Sequence, residues 1–161
     1  MCDVVLSLGA NVGDRLAVIR HAASAVVDKI GAITAKSNVY ETPPWGRVDQ
    51  PRFLNACLIV RTELSPIELL DKIKDIELDL GRVKRARWGP REIDIDIIFY
   101  GDAVFDLPEL KIPHALMTIR SFVLVPLADV APEWRHPEDG RTVTELLRDV
   151  NADGIEKITQ L

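Results

Sequence analysis

One stretch of the sequence, RVKRARWGPREIDIDI at 82–97, gathers residue types that could do chemistry together. Residues 82–91 contain five cations and no acid, and Asp94 and Asp96 follow shortly after, among isoleucines. Guanidinium groups match phosphate oxygens through bidentate hydrogen bonds. Mg²⁺ typically takes one or two carboxylates and completes its coordination with substrate phosphates and water. The stretch therefore predicts a site for a polyphosphate and its magnesium ions.

The two aspartates are predicted to act as a pair. Because side chains alternate along a β-strand, Asp94 and Asp96 face one side, about 6.6 Å apart along the backbone, while the isoleucines between and around them face the other. Carboxylates at that spacing repel each other unless a cation is present, and they can hold one or two metal ions. The alternative is a solvated acidic face of a half-exposed strand, and the neighbouring basic residues favour the metal site.

Composition and charge exclude several classes of protein. The 161 residues carry a net charge of −5, so the charge of +5 at 82–91 stands against −10 elsewhere. A general nucleic-acid binder is usually basic, and no stretch reaches the roughly 18 apolar residues of a membrane span, so neither partner is expected. Cys2 and Cys57 are too few for a disulfide framework, which favours a reducing cytoplasm with Cys57 as a small buried hydrophobe. We expect a single domain at 1–161 and a monomer.

The hydrophobic pattern predicts the order β-α-β-β-α-β. Strands are expected at four places: 3–8, 32–41, 53–64 and 93–100. One helix follows the turn GANVGD and has Gly31 as its C-terminal cap, and the other begins at the capping box 65–68 and ends at Gly81. This order is that of a ferredoxin-like α+β fold, an antiparallel sheet with helices on one face.

A C-terminal extension follows the last predicted strand. Residues 103–121 are typical of a loop, and SFVLVPLADVAPE predicts either a strand or a short helix. A helix around 142–150 and a short strand are expected to end the chain. His21 and His136 receive no functional role.

Five segments taken together resemble the 6-hydroxymethyl-7,8-dihydropterin pyrophosphokinase family: LSLGANVGDR, YETPPWG, QPRFLNA, RWGPREIDIDI and IPHALMTIRSFVLVPL. The resemblance extends from residue 4 to about 132 and implies the same ferredoxin-like fold. It also implies a reaction in folate biosynthesis, in which the β,γ-pyrophosphoryl group of ATP moves to the pterin's hydroxymethyl oxygen and AMP is released.

The resemblance implies a role for each matching residue. Asp94 and Asp96 correspond to the ligands of two Mg²⁺ ions. The ATP contacts it implies are Glu77, Arg87, Trp88, Arg91, His114 and Arg120. The catalytic residues it implies in the basic loop are Arg82, Arg87 and Arg91.

The pterin pocket implied by the resemblance consists of Thr42, Pro43, Pro44, Trp45, Phe53, Asn55 and Phe122. A flat pterin can stack between Phe53 and Phe122 while the Asn55 amide reads its donor and acceptor edge. Core packing is the alternative for the two phenylalanines.

The sequence departs from the family pattern at two places. Trp45 stands where a smaller aliphatic residue is expected, so it would narrow the pterin mouth or add a lid contact. The basic loop is slightly short between Arg82 and Arg87, which leaves both Lys84 and Arg85 as candidates for its inner cation. Three loops, at 11–14, 44–52 and 82–91, are predicted to become ordered when substrates bind.

Other functions fit parts of the sequence. The basic loop could belong to an RNA-binding module, but the sequence lacks an RNP1-like pattern and the aspartates would repel phosphate without metals. A magnesium-dependent nucleotidyltransferase would cut ATP at the α-phosphate, and the aspartate pair alone does not decide between the two positions. A non-catalytic relative would keep the fold, but the expected metal and arginine positions are all filled.

Overall fold

The computed structural model describes residues 1–45, 49–81 and 92–161 of the chain. The strands are β1 Cys2–Ala10, β2 Gly31–Lys36, β3 Asn38–Thr42, β4 Phe53–Thr62, β5 Asp94–Tyr100, β6 Phe105–Leu107, β7 Leu110–Ile112 and β8 Glu156–Gln160. The helices are α1 Arg15–Lys29, α2 Pro66–Asp79, α3 Ser121–Val130 and α4 Val143–Arg148, with a 3₁₀ turn at Met117–Ile119.

The main sheet is antiparallel and has the strand order β5-β1-β4-β3-β8, with β2 also paired to β4. The strand predicted at 32–41 is divided at Ser37, whose N–H donates to the Cys57 carbonyl at 2.9 Å while its Oγ accepts from the Cys57 N–H at 2.8 Å. Since β2 and β3 lie on the same side of β4, they act as one interrupted strand. The predicted ferredoxin-like α+β order is therefore confirmed.

The sheet is covered on both faces. Leu6, Leu8 and Leu58 pack with α1 and α2 on one face, whereas Val5 and Phe99 pack with α3 and α4 on the other. The expectation of helices on one face holds for α1 and α2 only, because the C-terminal extension covers the second face.

The C-terminal extension contains regular structure where the sequence predicts a loop. Residues 103–121 contain the β6–β7 hairpin and the 3₁₀ turn. The undecided segment SFVLVPLADVAPE forms α3, which buries Val123, Leu124 and Leu127 against the sheet. The predicted last helix and strand are present as α4 and β8, and β8 pairs with β3.

Both predicted helix starts are capped by side chains. The Asp14 carboxylate accepts from the Ala17 N–H at 3.1 Å at the start of α1. At the start of α2, Ser65 and Glu68 exchange the two hydrogen bonds of the predicted capping box. Caps of this kind satisfy N–H groups that have no partner within the helix.

One carboxylate fastens α3 to β3. Asp129 Oδ2 accepts from the Asn38 N–H at 3.1 Å, from Asn38 Nδ2 at 3.2 Å and from the Tyr40 hydroxyl at 2.7 Å. Burial and the hydrogen bond to Asp129 raise the pKa of Tyr40, so the hydroxyl keeps its proton and remains a donor. The contact fixes where the residues at the start of α3 lie above the sheet.

The turn before α1 is tied to the segment before β4. Asn11 Nδ2 donates to the Pro51 carbonyl at 2.9 Å. Glu41 on β3 pairs with Arg15 at 3.0 Å and with Arg52 at 3.3 Å. These contacts join two of the segments predicted to be loops to the same end of the sheet.

Gly31 is not the C-terminal cap that the sequence predicts, because Ile30 caps α1 in a right-handed conformation and Gly31 begins β2. The glycine is needed for a close approach instead: a Cβ at this position would lie 2.0 Å from the Arg61 carbonyl oxygen.

We expect Gly31→Ala to lower the free energy of unfolding by about 2–3 kcal/mol, since the backbone of two paired strands must separate to admit the methyl group. Denaturant unfolding measures the change, and Ala32→Ser at the neighbouring exposed position is the control. Equal stability of the Gly31→Ala variant and the unchanged protein would contradict this account of the glycine.

Candidate active site

A row of residues crosses three strands on the face of the sheet that α3 covers. Gly9 of β1 pairs with Asn55 of β4 on one side and with Asp94 of β5 on the other. Since directly paired residues share a face and neighbouring strands lie about 4.8 Å apart, the backbones of Asn55 and Asp94 are about 10 Å apart. Asn55, which is predicted to recognise the pterin ring, and Asp94, which is predicted to bind a metal, therefore lie on one surface with Gly9. We call this surface of β4, β1 and β5 the floor of the site.

Gly9 gives that floor its shape. A Cβ at this position would lie 2.8 Å from Asn55 Oδ1 and 3.8 Å from the Phe53 ring. The sequence predicts a strand that ends near Gly9 and no role for this glycine, but β1 continues through Ala10. The available signal is a glycine inside an apolar strand, which often marks a close approach by another group.

The Asn55 amide is buried and fixed in orientation. Its Nδ2 donates to Thr42 Oγ1 at 2.6 Å, and both side chains are almost fully buried. This bond joins two residues predicted for the pterin pocket. An amide held in this way presents a donor and an acceptor in a fixed plane, as recognition of a heterocyclic edge requires.

Of the predicted aromatic residues, Phe53 lies beside this amide, and Trp45 and Phe122 contact each other. Phe53 stands beside Asn55 above Gly9, and Phe122 lies in the first turn of α3. The Trp45 and Phe122 rings have centroids 6.4 Å apart and planes inclined by 57°. Pro43 is exposed and Pro44 half-buried. Trp45 and Phe122 thus lie together, and the Pro43-Pro44 pair connects Trp45 with Thr42 at the end of β3.

Asp94 and Asp96 lie half-buried on the same face of β5, and Ile95 and Ile97 are buried on the other, as the alternation predicts. Among the described residues, no three His, Cys, Asp or Glu side chains are placed to hold a metal ion together. Two carboxylates are nevertheless a donor set that suits Mg²⁺, which takes its remaining ligands from water and substrate phosphates. The residues present therefore fit the predicted metal.

His114 lies beside the carboxylates as a neutral ring. The backbone N–H of His114 donates to the Ile98 carbonyl at 3.2 Å, which holds the residue against β5. Burial, and then the positive charge of Arg120, lower the pKa of His114 to about 4. Because Nδ1 accepts from the Leu116 N–H at 3.2 Å, the neutral ring carries its proton on Nε2, 4.0 Å from Asp96 Oδ2.

Arg120 connects the aromatic end of the floor with the carboxylate end. Its guanidinium carbon lies 4.7 Å from the centroid of a Trp45 ring and 5.4 Å from that of the Phe122 ring. Burial lowers the pKa of Arg120, whereas the charges of Asp96 and Asp94 raise it. Arginine stays protonated throughout the physiological range, so a full positive charge lies between the rings and the carboxylates.

Glu77 occupies a different position from the other predicted ATP contacts. It is buried on α2, and its Oε2 accepts from the Ile95 N–H at 3.0 Å. This bond joins α2 to β5, the strand that carries the aspartates. The other predicted residues of the basic loop, Arg82, Arg87, Trp88 and Arg91, lie outside the described residues, as do the two candidates for the inner cation, Lys84 and Arg85.

Two residues without an assigned chemical role have structural positions. Cys57 is fully buried, as predicted, and burial raises the pKa of its thiol, so it does not form a reactive thiolate. His136 Nδ1 accepts from the N–H groups of Glu138 and Asp139 and so holds the turn before α4.

In the part of the chain that the structure describes, no helix combines the length and hydrophobicity needed to cross a membrane.

Sequence comparison relates the chain to one family. The family model described as 7,8-dihydro-6-hydroxymethylpterin-pyrophosphokinase (HPPK) matches residues 5–132. The 2-amino-4-hydroxy-6-hydroxymethyldihydropteridine pyrophosphokinase of Pseudomonas aeruginosa is 44% identical over 160 residues, which is 96% of this chain and 96% of that protein. The protein of the same name from Methylorubrum extorquens is 43% identical over 159 residues, or 98% of this chain and 99% of its own.

Structural comparison supports the fold. A crystal structure of Plasmodium falciparum HPPK-DHPS wild type with pteroate matches with a TM-score of 0.74 at 22% sequence identity. The match covers 91% of this chain but only 42% of the longer Plasmodium chain. At this identity, the likeness shows the fold alone.

In the substrate-free and metal-free protein, we expect His114 to titrate near pH 4, well below its ordinary pKa of 6.5. The unfolded chain then binds more protons than the folded protein between these values, so the free energy of unfolding falls as the pH drops through this window, by at most about 3 kcal/mol. NMR of the ring protons measures the pKa, with His114→Gln assigning the resonance. A pKa at or above 6.5 would contradict the buried neutral ring.

Proposed function

The chain belongs to the 7,8-dihydro-6-hydroxymethylpterin-pyrophosphokinase family, and we propose that it performs this family's reaction on the floor formed by β4, β1 and β5. It is an ATP-dependent pyrophosphokinase of folate biosynthesis. The hydroxymethyl oxygen of 6-hydroxymethyl-7,8-dihydropterin forms a bond to the β-phosphorus of ATP. The bond from that phosphorus to the α,β-bridging oxygen breaks, AMP leaves with this oxygen, and the hydroxyl proton passes to water.

The observation that carries the proposal is the row of Asn55, Gly9 and Asp94 across three paired strands. A heterocycle at the Asn55 end and a polyphosphate at the Asp94 end would meet above Gly9. Holding two reactants in one geometry can supply much of the rate of such a transfer.

The pterin end of the floor is assigned to Thr42, Pro43, Pro44, Trp45, Phe53, Asn55 and Phe122. The fixed Asn55 amide supports this assignment, because it offers hydrogen bonds to the amide-like edge of the pterin. The nearby faces of Phe53 and Phe122 offer stacking partners for its flat ring. Together they would fix the plane and the rotation of the pterin, and the proposed transfer requires its hydroxymethyl group to face β5.

The phosphate end is assigned to the carboxylates and the groups beside them. Asp94 and Asp96 would hold two Mg²⁺ ions, which when bound neutralise charge on the transferred phosphates. His114 presents its Nε2–H toward this end, and Arg120 presents a guanidinium group. Arg87, Trp88 and Arg91 of the basic loop, with Glu77 on α2, are assigned to ATP by sequence, and Arg82, Arg87 and Arg91 are assigned to catalysis. The arginines would add positive charge where negative charge accumulates.

The wider setting is proposed on the same basis. Two cores that share a single sheet support one domain at 1–161. Activity as a monomer in the cytoplasm is proposed from the sequence alone. The net charge of −5 supports small-molecule substrates and opposes a role with nucleic acid.

The test of the function is AMP release from ATP and magnesium, with and without 6-hydroxymethyl-7,8-dihydropterin. AMP formation that requires the pterin and yields no free pyrophosphate is the expected result. Pyrophosphate release would instead place the attack at the α-phosphate, as in a nucleotidyltransferase, and an absence of turnover with intact ATP binding would point to another acceptor.

We expect Asp94→Asn and Asp96→Asn each to reduce kcat by at least about 100-fold at saturating magnesium, because each change removes a negatively charged metal ligand. Steady-state turnover measures the effect. Asp106→Asn, in the exposed β6–β7 hairpin where it pairs with Lys111, is the matched control and should leave kcat unchanged. Equal activity of the Asp94 and Asp96 variants and the unchanged enzyme would contradict the assignment.

We expect Gly9→Ala to raise the KM for the pterin about 10-fold, since its Cβ would force the Asn55 amide to move. The Kd of a non-hydrolysable ATP analogue measured without pterin serves as the internal control and should change little. An unchanged KM for the pterin would show that the Asn55 amide can move without losing its contacts.

A further inference from the structure

Trp45 is a large aromatic side chain at the mouth of the site. It is 36% exposed and follows the Pro43-Pro44 pair after β3. The family pattern predicts a smaller aliphatic residue here, so the indole adds a π-face that an aliphatic side chain would not provide. A cation within about 6 Å of an aromatic centroid is attracted to the ring, and the Arg120 guanidinium lies 4.7 Å from the indole.

Arg120 is held from more than one side. It is only 5% exposed and lies directly before α3. Phe122 provides a second ring at 5.4 Å, and the charges of Asp96 and Asp94 stabilise the cation from the β5 side. The guanidinium therefore depends on two kinds of attraction, one from neutral rings and one from charged carboxylates.

These two attractions respond differently to magnesium. The two carboxylates carry a charge of −2, which divalent cations bound there would offset. The attraction that the carboxylates exert on Arg120 is then cancelled. The rings carry no net charge, so their attraction for the guanidinium persists.

We propose that Trp45 is a positioning residue for Arg120, holding its guanidinium at the phosphate end of the site when magnesium occupies Asp94 and Asp96. The inference rests on the proposed function and adds to it a residue on the pterin side that acts on the nucleotide. Trp45 thereby links the pterin mouth to ATP binding through one shared cation.

The test compares Trp45→Leu, which keeps apolar bulk but removes the π-face, with Trp45→Phe, which keeps an aromatic face. The Kd of a magnesium-bound, non-hydrolysable ATP analogue is measured by calorimetry without pterin. Trp45→Leu should weaken binding about 5- to 30-fold, the range of a partly desolvated cation–π contact, and Trp45→Phe should restore it to within about 3-fold. Val27→Ala, at an exposed apolar position of α1 on the opposite face, is the control and should leave the Kd unchanged.

A double-variant cycle isolates the contact with Arg120. If Trp45 acts through this cation, Trp45→Leu should cause no further loss of nucleotide affinity in an Arg120→Ala background, and additive losses would overturn the proposal. So would a Trp45→Leu protein that binds the ATP analogue normally and loses affinity for the pterin alone, because Trp45 would then be only a pterin contact.

Measurements on the wild-type protein distinguish a failure of the Trp45 positioning role from a failure of the proposed function. If it binds the ATP analogue and converts the pterin while the Trp45 variants bind the analogue equally well, only the positioning role fails. If the wild-type protein neither binds the analogue nor forms AMP, the proposed function itself fails.

Discussion

The pairing of β1 with β4 on one side and β5 on the other sets the dimensions of the site. Backbone hydrogen bonds fix which residues stand opposite Gly9, and a shift of one residue would turn every side chain to the other face. Both faces of this sheet are buried against helices, so such a shift would expose two cores. The register that places Asn55 and Asp94 in one row is therefore enforced by the hydrophobic packing of the whole molecule.

The second core determines what stands above this row. Because α3 packs against β4 and is fastened to β3 through Asp129, the residues at its start are held over the floor. Arg120 is buried there despite the cost of removing a cation from water. Attraction to the aromatic rings and attraction to the carboxylate charges both offset this cost. The position of the guanidinium therefore depends on both groups.

Much of the framework could be predicted because it depends on local rules. Alternation along β5 correctly places Asp94 and Asp96 together, and the pattern at 65–68 correctly identifies a capping box. The roles of the basic-loop arginines remain predictions from family resemblance.

Other features depend on contacts that a local pattern does not contain. SFVLVPLADVAPE is apolar at both the helical and the strand period, so its sequence does not choose between the two. It forms α3, which buries its apolar side chains against the second face of the sheet. The division at Ser37 arises from its bonds to Cys57 on another strand. Gly9 and Gly31 are required by groups on the neighbouring strand β4, and the sequence pattern does not show which group approaches either glycine.

The neutral state of His114 has a consequence for how the site responds to electrolyte. Attraction between an arginine and a phosphate weakens as salt is added, since the screening length falls from about 10 Å at 0.1 M to about 3 Å at 1 M. A hydrogen bond from an uncharged imidazole carries little of this long-range component. At pH values where its imidazole stays neutral, His114 would therefore supply to the proposed site a phosphate contact whose strength differs little between dilute and concentrated electrolyte, beside arginines whose contribution changes strongly.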